Sequence, residues 1–359
     1  MTLTILRICP VLLLLLSFKT QANFINLTYK LSATSQAEIR DSRFVQARIW
    51  SLRPQLKARY KLMDSLVFRT ELEGYFESGS NDSLYIDEYR PRREIFLNEG
   101  KFTWRPFQSI KFSFGAINQE SFDSPLFLTE TAFAGAKESF QFLLADIKVT
   151  VSAQQTIANN QNLSARLNSV DEGTPKFYSE TIEANYESSQ FEFKLAYSLY
   201  RFNNLSRAVA HESRFLGNSV SGTGQDNATF LYQYEGHNTY ARLQFKVMGL
   251  NFHLSGHYTH NNESPNNRAD ALWMMAGLGI QRYFIFIENF ESESDVVPAY
   301  YNSKFYGHNN YKGNTIGFFF KTEKSKLSLN ARYIKATLLQ PSLYQDDFTG
   351  TQVSVGKEF

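Results

Sequence analysis

The chain has 359 residues, 20 of them Tyr and 32 Phe, with only 9 Pro and a single Cys. Setting aside Arg7 and Lys19 brings the 37 basic residues into balance with the 35 acidic ones, which removes any bulk electrostatic case for nucleic-acid binding. Beyond the first residues no apolar stretch is long enough for a membrane-spanning helix.

Residues 1–22 read as a secretory signal peptide. Arg7 supplies the positive n-region, Val11 to Leu16 form an unbroken apolar core, and Thr20-Gln21-Ala22 places small residues at the cleavage positions. The only cysteine, Cys9, lies inside that segment, so residues 23–359, read as one domain, carry no thiol chemistry.

The next segment to show a clear pattern is 55–77. Leu56, Ala58, Tyr60 and Leu62 alternate with Gln55, Lys57, Arg59 and Lys61. After Met63-Asp64-Ser65, Leu66, Phe68, Thr70, Leu72, Gly74 and Phe76 alternate with Val67, Arg69, Glu71, Glu73, Tyr75 and Glu77. This is the period of a sheet with one apolar and one charged face. Pairing Leu62 with Leu66 sets Lys57 opposite Glu71. The unit recurs along the chain. Phe102 and Trp104 are expected to meet Phe112 and Ile110. Phe140, Phe142 and Leu144 meet Val151, Val149 and Ile147. Ala184 and Tyr186 meet Phe193 and Phe191, with Glu183 opposite Lys194. Ile316, Phe318 and Phe320 meet Tyr333, Ala331 and Leu329.

Longer polar segments separate these hairpins at 78–93, 118–136, 158–175, 203–226, 261–268, 293–310 and 339–348. Short turns alternating with long loops predict an all-β transmembrane antiparallel barrel, turns in the periplasm and loops outside. The strands expected are 24–33, 43–62, 66–77, 94–105, 109–118, 137–145, 147–157, 176–187, 190–202, 227–235, 239–260, 269–280, 283–292, 311–323, 326–338 and 349–359. That makes sixteen, with fourteen or eighteen left open. The apolar phase slips around Met248-Gly249; a turn there would give seventeen strands, so a bulge at Gly249 is expected instead. The hairpin at Gln281-Arg282 is poorly phased, because Phe284, Phe286 and Phe290 alternate with Tyr283, Ile285 and Ile287.

The closing residues Val353, Val355 and terminal Phe359, alternating with Gln352, Ser354 and Gly356, resemble the C-terminal strand of outer-membrane porin-like barrels of Gram-negative bacteria. Lys357 departs from that pattern, since such proteins commonly carry an aromatic or apolar residue there. Gly115 to Asn118, followed by a long loop through Pro125 and Gly135, is loosely similar to porin and alginate-export-type barrels. The resemblance implies a diffusion channel for small hydrophilic solutes in the outer membrane. It implies contact with outer-membrane lipid and lipopolysaccharide, delivery by the barrel-assembly machinery through Phe359, and a homo-oligomer as a further partner. No cofactor and no metal are expected. Tyr60, Trp104, Tyr186 and Phe191, beside the short turns, would form an interfacial aromatic girdle.

Function should reside on the polar face. The pore-lining residues expected are Arg53, Lys57, Arg59, Lys61, Arg69, Glu71, Glu73, Lys101, Arg105 and Lys111, further joined by Glu77 and Glu99. Their positive excess would favour anions, while cross-strand pairing that merely stabilises a hydrated wall is the plainer reading. Loop 118–136 mixes Glu120, Asp123 and Glu130 with Phe122, Leu126, Phe127, Leu128 and Phe133. It is a candidate constriction loop whose acids would face the basic wall; an ordinary surface loop is the alternative.

Two other function classes compete. His211-Glu212-Ser213 and His253-Leu254-Ser255 match the His-x-Ser pair of barrel lipases and lipid A deacylases, but no third triad member can be placed, and the chain is not expected to be an enzyme. A closed structural or adhesin barrel is the third. His253 and His257 lie about 13 Å apart on a strand rising about 3.3 Å per residue, too far to share a metal ion.

Overall fold

Alternation with a period of two dominates the chain, and nearly every strand it marks finds a neighbour close in sequence. The computed structural model describes residues 26–83, 89–119, 122, 124–129, 131–158 and 172–359. The signal-peptide reading of 1–22 therefore lies outside the described residues.

Nine strands come first: β1 (Leu27–Ser42), β2 (Val45–Met63), β3 (Leu66–Ser83), β4 (Arg93–Phe107), β5 (Ile110–Asn118), β6 (Ala132–Leu144), β7 (Ile147–Ile157), β8 (Lys176–Glu187) and β9 (Phe191–Asn203). A loop then holds helix α1 (Arg207–Phe215) and a two-residue hairpin, β10 (Val220–Ser221) with β11 (Thr229–Phe230). The remaining strands are β12 (Tyr234–Val247), β13 (Leu250–Asn261), β14 (Asp270–Ile280), β15 (Tyr283–Ser292), β16 (Tyr311–Thr322), β17 (Leu327–Leu338) and β18 (Phe348–Glu358). All but β10 and β11 join one closed antiparallel barrel of sixteen strands, sealed where β1 pairs with β18.

The expected count holds, but by a different route. No bulge interrupts 239–260. Met248 and Gly249, with φ of 51° and 80°, make a two-residue turn between β12 and β13, where Val247 pairs Leu250. Positive φ at both central positions gives a turn whose twist matches the flanking strands, and glycine takes it without strain. The segment 227–235 contributes no full barrel strand; only Tyr234 and Glu235 belong to β12, and Thr229–Phe230 pair inside the loop. One strand gained and one lost preserve parity. The first strand also runs on to Ser42 rather than ending at 33, turning tightly through Arg43 and Phe44.

Register follows the hydrophobic pattern, with a characteristic slip. Lys57 pairs Glu71, Phe140 pairs Val151 and Ile316 pairs Tyr333, as the alternation predicts. At the β2–β3 turn a bulge near Leu62 makes Met63, not Leu62, the partner of Leu66. Elsewhere the partners shift by two. Phe102 meets Phe114 and Trp104 meets Phe112, because β4 extends to Phe107 with a bulge before the turn. Tyr186 meets Phe193, and Lys194 stands opposite Asn185 rather than Glu183. A shift of two keeps every side chain on its face, so alternation alone cannot detect it. Lys194 still reaches Glu183 diagonally, at 3.4 Å.

The outer face carries Trp50, Tyr60, Phe102, Trp104, Phe140, Leu195, Leu199, Ile285, Ile287 and Ile316, all exposed. The buried apolar residues lie instead inside the barrel, where four loops fold inward. On β15, Phe284, Phe286 and Phe290 point in while Tyr283, Ile285 and Ile287 point out, which explains the poor phasing: both faces are apolar. The inward rings lie over glycines of adjacent strands. A Cβ on Gly277 would sit 2.2 Å from Phe284, and one on Gly317 would sit 2.1 Å from Phe286.

Candidate functional site in the barrel interior

The barrel interior divides into an arc packed by loops and an arc left to charged side chains. The packed part is built first from loop 119–131, where Phe122, Leu126, Phe127 and Leu128 are buried. Phe127 lies 4.7 Å from Tyr200 on β9, Phe122 packs edge-on against Phe177 on β8, and Ser124 hydrogen-bonds the Asn238 side chain on β12 at 3.1 Å. The segment is too apolar to remain in water, and the aromatic inner faces of β8 and β9 give it a partner. Glu120, Asp123 and Glu130, the expected constriction acids, lie outside the described residues.

Loop 293–310 docks beside it. Its Val296, Val297 and Tyr301 are buried, Thr129 N donates to Tyr301 O, and Ser303 N donates to Pro125 O. Buried asparagines bind the loops to each other. The Asn218 side chain donates to Ser294 O and Val297 O, and Asn309 donates to the same two carbonyls. Gln345, from the loop before β18, donates to Asn309 O at 3.0 Å. Each amide satisfies loop carbonyls that no ladder can reach, as burial requires.

A charged latch joins this assembly to the wall. Arg332 on β17 reaches both Glu288 oxygens on β15 at 2.9 Å, and the Tyr306 hydroxyl donates to Glu288 while accepting from Arg332 and Trp273. Arg332 also sits 4.2 Å above the Phe305 ring. Two strands along the wall from β17, Arg40 on β1 donates to the carbonyls of Lys304 (2.6 Å) and Phe305 (3.3 Å). Within the loop, burial pushes the His308 imidazole down to about 3, helped by nearby Arg40 and Lys304, so the ring stays neutral; its Nδ1 faces Ala299 O and Asn302 Oδ1.

Among the described residues, β1 to β5 contribute nothing to the apolar cluster around the loops. Their inward faces carry the charges read from the sequence. Arg53, Lys57, Arg59 and Lys61 alternate along β2, Arg69, Glu71 and Glu73 along β3, Lys101 and Arg105 along β4, and Lys111 lies on β5. Lys57, Arg59, Lys61, Arg69 and Arg105 are exposed; Arg53, Glu71, Glu73, Lys101 and Lys111 are half-buried.

Register sorts them into rows. One row reads Lys57, Glu71, Glu99, and the next toward the short turns reads Arg59, Arg69, Lys101. In the first, Lys57 bonds Glu71 at 2.9 Å, and Gln55 donates to the same carboxylate at 2.6 Å. In the second, three cations face one another with no carboxylate among them; Lys101 reaches up to Glu99 at 2.5 Å. Arg53 leaves the pattern and lies over the Tyr75 ring at 4.9 Å. The sequence reading missed Lys137 and Arg242, which with Lys194 extend basic character around the inner wall and were in phase with it, and Arg332 with Glu288, whose pairing needs the third dimension.

The His-x-Ser pairs do not assemble alike. Ser213 is fully buried on α1 and accepts from Tyr300 N, while His211 lies beside Arg214 and Phe215. On β13 the His253 ring packs near Phe284.

No family model and no curated protein matches the sequence. Solved structures do. The chain is similar to Pseudomonas putida OprB in its high-pH structure, with a TM-score of 0.62 at 11% identity over 93% of this chain and 94% of that one. The low-pH structure of the same protein gives 0.54 at 8% identity, over 93% of each chain. A variant of the Rh. blastica porin matches with a TM-score of 0.49 at 8% identity, over 93% and 100%. The closed sixteen-stranded barrel with infolded loops thus has the fold of the outer-membrane porins.

Proposed function

We propose that the protein is a passive channel of the Gram-negative outer membrane for small hydrophilic solutes, leaning toward anions. One observation carries the reading: the registered row Arg59, Arg69, Lys101 on the arc that the loop cluster does not cover. Like charges set side by side across strands repel, and they do so least when water or a passing anion lies between them. The residues Arg53, Lys57, Arg59, Lys61, Arg69, Glu71, Glu73, Lys101, Arg105 and Lys111 would line the passage. Glu120, Asp123 and Glu130 of the infolded loop would supply the opposing sign. Residues 1–22 would direct export, and Phe359, exposed at the end of β18, would be read during barrel assembly.

Purified protein in planar bilayers tests this. Stepwise conductance with a reversal potential on the anion side is expected in a salt gradient. A sealed barrel, or a cation-side potential, would defeat the channel or its charge preference respectively.

A further inference from the structure

The outer wall is not uniform. On β2 the outward positions stay apolar, or carry Pro, from Tyr60 through Ala58, Leu56, Pro54 and Leu52 to Trp50. On β15 they are apolar only at Tyr283, Ile285 and Ile287, and then turn to Asn289 and Glu291. With strands rising about 3.3 Å per residue at about 40° of tilt, Asn289 stands about 15 Å above Tyr283, inside an apolar band about 25 Å tall.

A groove of about 860 Å³ lies on this side. Two adjacent registered rows cross it from β12 to β17. The first reads Leu243, Leu254, Ala276, Ile287, Ile316, Tyr333. The second reads Ala241, Gly256, Met274, Asn289, Asn314, Lys335. At about 4.8 Å between strands, each row is about 24 Å long. The first row is apolar throughout, with Ala276 as its small member, and Ala241 and Gly256 hollow the β12–β13 end of the second, bordered by the exposed Met274. The other half ends in two amides, bonded to each other at 2.9 Å, and the exposed Lys335. One row further toward the loops stands Lys312, opposite Glu291. No ion pair involves Lys335 among the described residues.

We propose that this groove binds one anionic acylated lipid of the outer leaflet, a phosphorylated glycolipid of the lipid A type. Its acyl chain would lie along the hollow over Ala241, Gly256 and Ala276. Its phosphate would meet Lys335, with Lys312 nearby and the paired amides of Asn289 and Asn314 beneath the sugar. The chemistry follows from the gradient along the groove: an apolar track, then neutral hydrogen-bonding groups, then a cation at the depth where bare lipid would leave it unpaired. The proposal rests on the barrel spanning a membrane with its long loops outward, and not on its conducting.

Native mass spectrometry of protein released from detergent tests it, with lipid A, phosphatidylglycerol and phosphatidylethanolamine each added in turn. Wild type should retain one lipid A, at least tenfold above phosphatidylethanolamine. Lys335→Gln with Lys312→Gln should erase that preference, and Ala276→Phe, which fills the track, should remove retention. Heat-modifiable migration on gels should be unchanged in both variants, which shows that the barrels fold whether or not they conduct. The conductance of wild type should be kept in both, which separates this site from the channel. Equal retention of all three lipids, preferred retention of phosphatidylglycerol, or variants that behave as wild type would overturn the assignment. So would a wild-type oligomer that either variant dissociates, because a second copy would then cover the groove.

Discussion

The β2–β5 arc and the β14–β17 arc of one barrel solve the same problem in opposite ways. On β2–β5 the inner face is charged and left free by the apolar loop cluster, while on β2 the outer face is apolar over nearly its full height. On β14–β17 the inner face is aromatic, with Trp273, Phe286 and Phe290 buried near the docked loops, while the outer face of β15–β17 turns polar within three outward rows. A strand has only two faces, so apolar residues used inside leave the outside to be satisfied by other means. In the channel proposed above, the passage would run along the β2–β5 side, because the apolar loop cluster fills the other.

Reversing the free arc should have the largest effect. Arg59→Glu with Arg69→Glu and Lys101→Glu is expected to move the reversal potential from the anion to the cation side, with conductance retained; an unmoved potential would place the passage elsewhere. Breaking the packed arc comes next. Arg332→Met leaves Glu288 buried without its cation, at a local cost of about 3–5 kcal/mol. Loop 293–310 should then become the first site of limited proteolysis, while the barrel remains folded. Phe127→Ala should cost about 3–5 kcal/mol of loop packing and raise conductance by loosening the neighbouring loop. Gly317→Ala forces the Phe286 ring off its seat, at about 1–3 kcal/mol, and should lower the melting temperature without changing selectivity.

The smallest effect is a pH dependence confined to the packed arc. The His308 pKa is held down to about 3 by burial, below its unfolded value of about 6.5. Its contribution to loop docking is therefore complete above pH 6.5 and fades as pH falls toward 3, because only the undocked ring accepts a proton readily. The protection factors of 293–310, exchange rates corrected for the intrinsic pH dependence of amide exchange, should fall as the pH drops across that window, and His308→Gln should flatten the fall.

The two arcs were unequally legible in the sequence. Period-two alternation exposes both faces of β2 and β3, down to the pairing of Lys57 with Glu71, but not the bulge near Leu62 or the run of β3 past 77 to Ser83. It cannot fix register beyond a multiple of two, so the β4–β5 and β8–β9 hairpins slipped by two residues without any side chain changing face. On β15, where both faces are apolar, the phase carries no signal at all. Loops have no period, so the docking of 293–310 was hidden, although Val296, Val297, Tyr300, Tyr301, Phe305 and Tyr306 make it too apolar for water. The sequence favours a bulge at Met248-Gly249, because a turn there gives an odd seventeen once 227–235 counts as a strand. Only the backbone reveals that those residues stay within a loop.

Arg40 ties the loop cluster to β1, the strand that meets β18 when the barrel closes. Every other wall contact named for loop 293–310 comes from strands that are neighbours through continuous sequence. The clamp on Lys304 and Phe305 thus completes only after the two ends of the chain have met. Full docking of this loop is a record of closure, and a barrel stalled with an open seam would display the loop to solvent and to proteases.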